Sequence, residues 1–462
     1  MQEGGCVKPK TMEADPLKFQ VGINTRERPT PESVPAPNGV RERWAWAEPS
    51  AWSERMLTTL EEGVKGGRWY CLWDKVLKPE NAQASFTKVK AKKGKPGVDH
   101  VTVEQFEERR EENLDQLIRQ MREGSYRPSP VKRVEIPKPG SAKKRPLGIP
   151  TVRDRVAQGM VKHVLEPIFE RDFAEYSYGF RPGRSCKDAL RRVQSLLDAG
   201  YNWVVDADIQ GYFDSIPHDR LMERMKAKVT DGKVLGLVEA FLNQGILEGL
   251  KHWTPEKGTP QGAVLSPLLA NAYLDPLDHR MAESGFQMVR YADDFVVLCK
   301  SEEQARSALA ILQEWTDQAG LQLHPEKTRT VDATQKGGFD FLGYHFERGM
   351  KWPRKKSLAK LKDGIRAETK RCNGHSLDAI IASINPRLRG WFEYFKHSHK
   401  TTFRPIDQWT RMRLRSILRK RAGRRGRGRG EDHKRWPNAF FAKHGLYSLE
   451  TARALAGQSA RR

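Results

Sequence analysis

Tyr291-Ala292-Asp293-Asp294 decides how this 462-residue chain is read. Met288-Val289 comes before it and Phe295-Val296-Val297-Leu298 after it. Apolar, β-branched and aromatic residues on both sides of a polar break predict a β-hairpin, with the Asp293 and Asp294 carboxylates at its tip. Two adjacent carboxylates repel each other, and a hairpin gains nothing from that repulsion. A divalent cation removes the conflict, because carboxylate oxygens are the ligands Mg²⁺ prefers. An Asp-Asp pair is also an ordinary solvated turn, so the metal reading has to draw on the rest of the chain.

Upstream, Trp203-Val204-Val205-Asp206-Ala207-Asp208-Ile209 reads as a short buried-type strand interrupted by acids, and Gly211-Tyr212-Phe213-Asp214 follows it. A local conflict of that kind marks function more often than scaffold. Asp208 and Asp293 are far apart in the chain, so only the fold could join them. Set side by side, they would form a pocket for two Mg²⁺ ions about 4 Å apart, the arrangement that drives in-line phosphoryl transfer.

Around these two elements, helices and strands alternate irregularly from about 85 to 345. Helices are predicted at Glu104 to Arg122, Arg153 to Phe173, Lys187 to Leu197, Leu221 to Leu247 and Glu302 to Ala319, with Gly320 placed to end the last. Val131 to Ile136 alternates as a strand, Lys138-Pro139-Gly140 turns, and Lys143-Lys144-Arg145-Pro146-Leu147-Gly148-Ile149-Pro150 returns as a basic hairpin. Gly179-Phe180-Arg181-Pro182-Gly183-Arg184-Ser185 and Gly258-Thr259-Pro260-Gln261-Gly262 are turn-rich loops. Phe341-Leu342-Gly343-Tyr344 is a short apolar turn. The pattern is α+β with a small antiparallel sheet, and after 345 it is helical.

Charge divides the chain unevenly. The net charge is +24, and residues 346–462 hold 31 Lys and Arg against 9 Asp and Glu. Between Arg411 and Gly430 there are ten basic residues and no acid. Basic helix surfaces normally carry acids to pair with, and these do not, so the C-terminal part is expected to hold a nucleic acid. The five cysteines are scattered without a Cys-x-x-Cys pair, which argues against zinc and against a disulfide framework. No signal-peptide pattern and no apolar run of membrane-spanning length is present, so a cytoplasmic protein is expected.

With these motifs in order, the chain resembles the reverse transcriptases. Tyr291-Ala292-Asp293-Asp294 is similar to their catalytic box, and Asp208-Ile209 with Phe213-Asp214 to their first acidic motif. Pro260-Gln261-Gly262 with Ser266-Pro267-Leu268-Leu269-Ala270-Asn271 is similar to the next. Leu321 to Thr328 and Phe341 to Tyr344 complete the series. Arg145-Pro146-Leu147-Gly148-Ile149-Pro150, Tyr178 to Ser185 and Gly97-Val98-Asp99 resemble the group II intron-encoded branch. Asn385-Pro386-Arg387-Leu388-Arg389-Gly390-Trp391-Phe392 resembles its maturase domain. The resemblance runs from about Trp52 to the C-terminus.

The resemblance implies a right-hand polymerase. Residues 1–50 would be a flexible extension, 51–190 N-terminal helices and fingers, 191–345 the palm, 346–430 an all-α thumb and maturase domain, and 431–462 a tail. Asp208, Asp293 and Asp294 would hold two Mg²⁺ ions, or Mn²⁺ in their place, with the Ile209 carbonyl assisting. Lys138 and Arg145 would grip the incoming triphosphate, Arg being suited to bidentate phosphate contact. Phe213 would exclude ribonucleotides by crowding the sugar 2′ position. Gln261 would touch the nucleotide, and Lys327 would lie close by. Arg181 and the Phe341-Leu342-Gly343-Tyr344 turn would contact primer and template. Arg387, Arg389, Arg411, Arg413, Arg424 and Arg425 would bind RNA.

The partners implied are group II intron RNA, an RNA template with a DNA primer, deoxynucleoside triphosphates and target DNA, in a bacterial, nucleoid-associated setting with no membrane. After Gly430 there is no cysteine, and the only histidines are His433 and His444, so the DNA endonuclease domain of many relatives is expected to be absent. Two other readings stay open. One is an RNA-binding splicing cofactor, and the other is a domesticated reverse transcriptase in DNA repair or defence.

Overall fold

The computed structural model describes residues 39–64, 66–137 and 144–459. Residues from Ala45 onward form one compact unit. Of the segment before it, Gly39–Trp44 is described, with a single helical turn at Val40–Arg43. The flexible extension expected over 1–50 therefore lies mostly outside the described residues. At its end, Ala47 is buried.

The strands, in chain order, are β1 (Val131–Pro137), β2 (Lys144–Ile149), β3 (Trp203–Asp208), β4 (Ile246–Glu248), β5 (Lys251–Trp253), β6 (Gln287–Tyr291), β7 (Asp294–Cys299), β8 (Arg329–Asp332), β9 (Phe339–Phe341), β10 (Tyr344–Glu347) and β11 (Met350–Pro353). They make three small sheets ordered β2-β1-β4-β5, β6-β7-β3-β8 and β11-β10-β9. All ladders are antiparallel except β1 with β4.

The central sheet positions the acids. Val204, Val289, Val296 and Leu298 face one side and pack with Ala189, Leu190 and Val193 of the helix Cys186–Asp198. Side chains alternate faces along a strand, so Asp206 and Asp208 share the face of Val204, and Asp294 shares that of Val296. The helices Ser266–Glu283 and Glu302–Gln318 also pack on this sheet. Upstream, the buried helix Val152–Glu170 carries the N-terminal helices, with Trp52 Nε1 donating to the His163 carbonyl at 3.0 Å.

Three element boundaries differ from expectation. The helix expected over 104–122 is two, Val103–Glu108 and Arg110–Glu123, because Arg109 leaves helical geometry at φ −120°. The stretch expected to stay helical to Leu247 ends at Leu242, and Ile246–Glu248 becomes β4, paired with β1. The C-terminal part is not helical from 346, because β10 and β11 form a hairpin first and the helix Lys355–Glu368 opens after it.

Residues 431–459 are not a tail. Trp436, Phe441 and Leu449 join a buried core with Ile365, Ile384, Leu388 and Phe403 of the helical domain. Asp407 caps the helix Leu449–Ser459 from outside, accepting from the backbone N–H groups of Leu449 at 3.0 Å and Glu450 at 3.1 Å.

Candidate active site

The hairpin forms where the sequence predicts it, but its tip is not the Asp-Asp pair. Tyr291 pairs with Asp294, so Ala292 and Asp293 are the two turn residues and Asp294 opens β7. Of the two, Ala292 has a positive φ, +59°. A left-handed first residue is the pattern of a II′ turn, whose twist suits a hairpin.

β3 lies beside β7, and the register sets Asp208 directly opposite Asp294, with Asp293 in the adjoining turn. Opposed residues in an antiparallel ladder carry their Cβ atoms about 5 Å apart on one face. Burial and the neighbouring Asp293 and Asp206 push the Asp294 carboxyl up to about 7. Burial raises Asp293, and the charge on Asp208 adds to the shift. Asp206 is pushed up to about 6 by burial, against the pull of Arg329. Crowded, half-buried carboxylates of this kind are relieved by a cation.

Lys327 supplies one positive charge, its Nζ forming an ion pair with Asp208 Oδ2. The Lys327 loop is tied down by the bond from His324 N to the Asp208 carbonyl, 2.7 Å, and from Gln210 N to the Gln322 carbonyl, 2.8 Å. These bonds straddle the Ile209–Leu323 bridge. They leave the Ile209 carbonyl on the opposite edge of the strand, the side on which β7 lies. Among the described residues, no three His, Cys, Asp or Glu side chains converge as they stand on one metal-sized point. The donor set is chemically right for a hard divalent cation, and Lys327 occupies only the Oδ2 side of Asp208.

The turn is braced from behind by residues that sequence reasoning missed. Arg290 is fully buried. Its Nε donates to Asp278 Oδ1 at 2.8 Å, and its Nη1 donates to Asn271 Oδ1 at 3.0 Å and to the Ala292 carbonyl at 2.9 Å. Asn271 Nδ2 in turn donates to the Gly179 carbonyl at 2.8 Å. Gly179 lies against the turn so closely that a Cβ would meet Ala292 N at 2.1 Å. The signal was available: an arginine inside the apolar run Met288-Val289-Arg290-Tyr291 is the same kind of conflict as the acids in β3.

The other expected residues fall as follows. Phe213 is half-buried on the helical turn Tyr212–Ser215, its carbonyl held by Thr259 N at 2.6 Å. Gln261 Nε2 reaches Asp214 Oδ2 at 3.4 Å, and the Gln261 carbonyl accepts from Gly148 N at 2.7 Å. The Gln261 loop is thus clamped to both the acidic motif and β2. Arg145 is exposed on β2, opposite Ile136. Lys138 lies outside the described residues.

Arg181 turns inward instead of facing a template. It is buried, its Nη2 pairs with Glu170 Oε1 at 2.8 Å, and its Nη1 donates to the carbonyls of Ala174 at 2.5 Å and Ser177 at 2.7 Å. Every arm of the guanidinium is spent inside the protein, so it holds the loop and cannot reach a template. Phe341 and Tyr344 are also buried, which leaves the half-buried Leu342 and Gly343 as the accessible part of that turn. Tyr394 Oη donates to the Leu342 carbonyl, and Tyr344 Oη to the Tyr394 carbonyl, each at 2.6 Å. This reciprocal pair ties the turn to the helix Leu377–Phe395.

In the helical domain, Arg387, Arg389, Arg424 and Arg425 are exposed. Arg411 is half-buried. Arg413 is drawn inward, with Nε on Thr369 Oγ1 at 2.6 Å and Nη2 on the Thr369 carbonyl at 2.8 Å. Phe392 and Phe395 are core, packed against Phe403 and Tyr344.

Comparison with known proteins gives the family. Residues 136–346 match the family described as reverse transcriptase (RNA-dependent DNA polymerase), and residues 358–436 match the group II intron maturase-specific domain. The chain is 39% identical over 209 residues to the group II intron-encoded protein LtrA of Lactococcus lactis subsp. cremoris, covering 45% of this chain and 34% of that protein. The match thus spans about a third of the relative's length. It is 32% identical over 290 residues to protein YkfC of Escherichia coli (strain K12), covering 55% of this chain and 76% of that one. Nuclear intron maturase 1, mitochondrial, of Arabidopsis thaliana is 27% identical over 268 residues, covering 47% of this chain and 36% of that one. From the paired acids of β3 and β7 to the helical domain behind them, this chain belongs to the reverse transcriptase family, in the branch that joins that domain to a group II intron maturase-specific domain.

Proposed function

We propose that this protein is an RNA-directed DNA polymerase that also binds group II intron RNA as a splicing maturase and supports the mobility of that intron. The observation that carries the reading is the register of β3 and β7, which sets Asp208 against Asp294 with Asp293 in the next turn. Asp208, Asp293 and Asp294, with the Ile209 carbonyl, would hold two Mg²⁺ ions. When bound, such ions activate a primer 3′ hydroxyl and steady the leaving pyrophosphate.

The chain's own residues supply position and charge. Arg145, on the exposed face of β2, is free to grip a triphosphate. Lys327 pairs with Asp208, and its ammonium would stand beside the reacting phosphates. Arg290 holds the Ala292 carbonyl, so the Asp293 backbone cannot drift. The Leu342-Gly343 turn, braced by Tyr394, would steady the primer end. RNA template, DNA primer, deoxynucleoside triphosphates and a DNA target are the partners this reading needs, and the DNA target would bring the protein to a bacterial nucleoid. Among the described residues, no helix is long and apolar enough to cross a membrane. A splicing cofactor without polymerase activity would have no use for acids crowded in this way.

Primer extension on an RNA template with Mg²⁺, run with and without deoxynucleotides, tests the proposal. DNA product that requires both is expected; none under any divalent cation would reject it. Phe213→Ala is expected to admit ribonucleotides, lowering the deoxy-to-ribo incorporation ratio by at least about tenfold, since the exclusion is steric. An unchanged ratio would remove Phe213 from the sugar gate.

The exposed Arg424, Arg425, Arg427 and Arg429 supply the phosphate contacts in this reading. Replacing all four with glutamine should weaken binding of intron RNA and flatten its salt dependence. Each lost phosphate contact reduces the slope of log K against log salt by about 0.7–0.9. A slope identical to that of the unaltered protein would show that the RNA lies elsewhere.

A further inference from the structure

The loop through Phe180 brings an exposed aromatic ring to the edge of the site. Phe180 is 43% exposed, and its backbone is left-handed at φ +60°. That conformation strains a bulky residue and suits glycine. The loop has no freedom to relax it. Tyr178 N donates to the Arg290 carbonyl at 2.8 Å, Asn271 holds the Gly179 carbonyl, and Arg181 is anchored to Glu170. A strained, solvent-exposed ring fixed from both sides is a feature that packing alone does not explain.

What the ring touches gives it a purpose. Phe180 stands edge-on to Phe213, ring centroids 6.3 Å apart and planes at 83°, the geometry aromatic pairs prefer. Phe213 also meets Tyr212 at 5.6 Å and 68°. Tyr212 is buried and pinned through its hydroxyl to the Ala270 carbonyl at 2.5 Å, whereas Phe180 is the neighbour on the solvent side. A gate that works by steric exclusion is only as selective as its retreat is costly. Phe213 sits on a four-residue helical turn, and a lone ring there would swing aside from an added hydroxyl.

We infer that Phe180 is a specificity-determining residue that blocks this retreat, so that discrimination at the sugar 2′ position belongs to the Phe180–Phe213 pair. The inference rests on the reading of Phe213 as the sugar gate. It also accounts for the strain: the left-handed backbone is what aims the ring at Phe213 while both flanks stay anchored.

The test is single-nucleotide incorporation by the full chain on an RNA template with a DNA primer, comparing deoxy- and ribonucleotides. Phe180→Gly relieves the backbone and removes the ring. It should leave thermal stability unchanged or raised while the deoxy-to-ribo ratio falls about 3- to 10-fold, the size of one edge-on aromatic contact. Phe180→Tyr should keep the ratio, and Phe180→Gly added to Phe213→Ala should lower it no further than Phe213→Ala does. A ratio unchanged in Phe180→Gly while Phe213→Ala relaxes it overturns the inference and leaves the gate standing. A ratio unchanged in Phe213→Ala fails the gate and the inference together. Loss of both activities in Phe180→Gly and in Phe180→Leu also overturns it, since it would place Phe180 in the chemistry rather than in sugar choice.

Discussion

Asp293→Ala is expected to abolish DNA synthesis on an RNA template, with a rate loss of at least about 10³, or ~4 kcal/mol of barrier, while RNA affinity is unchanged. Asp293 sits in the turn between β6 and β7, and its carboxyl is raised by burial and by the charge on Asp208. Removing it takes a donor from the proposed ion pair and relieves repulsion at the same time. The variant should therefore be as stable as the unaltered chain or slightly more so. The basic helical surface is untouched, so an RNA filter-binding curve should overlay that of the starting protein. Persistent extension by the purified variant would refute the assignment of the metal ligands. Loss of extension together with loss of folding would point to a structural role for Asp293 instead.

The second large effect is expected at Arg290. Arg290→Met leaves Asp278, 6% exposed, as a buried carboxylate without its counter-ion. Breaking a buried pair in this way costs about 3–5 kcal/mol, a large share of the 5–15 kcal/mol that holds a typical domain. The urea midpoint should fall accordingly, and activity should fall with it. Arg290→Met with Asp278→Leu separates the two causes. Replacing both charges by apolar groups is often neutral, so the midpoint should return most of the way. The Ala292 carbonyl still lacks its donor, so the turn stays loose and extension stays low. Recovery of activity in the double variant would show that Arg290 serves stability alone.

Legibility varied with the kind of fact. The β6–β7 hairpin, β1 and β2, and the long helices were readable because period and turn residues are local properties, expressed within ten or twenty residues. The candidate acids were readable for a related reason: a charged residue inside an apolar strand stands out wherever it occurs. Arg181 lies in a loop that looks exposed in sequence. Its partner Glu170 lies on another element, and nothing local announces that the guanidinium will be buried. The stretch after 430 reads as a tail because short helices broken by glycine and proline have weak periodicity. Trp436, Phe441 and Leu449 find their core only against Ile384 and Phe403. Arg413 reads as an RNA contact from its place in a basic run, and it turns inward because Thr369 offers two acceptors.

By itself, the sequence determined the series of motifs and their order, the α+β class with a helical C-terminal domain, and the concentration of positive charge after residue 345. Those follow from composition and from short-range pattern. The tertiary structure decided the rest: that Asp208 stands opposite Asp294 with Asp293 in the turn, that Arg290 rather than a surface arginine holds that turn, and that Phe180 meets Phe213. The first and the last join segments distant in the chain, through a hydrogen-bond ladder and a ring contact, and no short window of sequence contains both halves. Arg290 has its partners close in sequence, but only packing of the whole core buries them together and makes the pairing decisive.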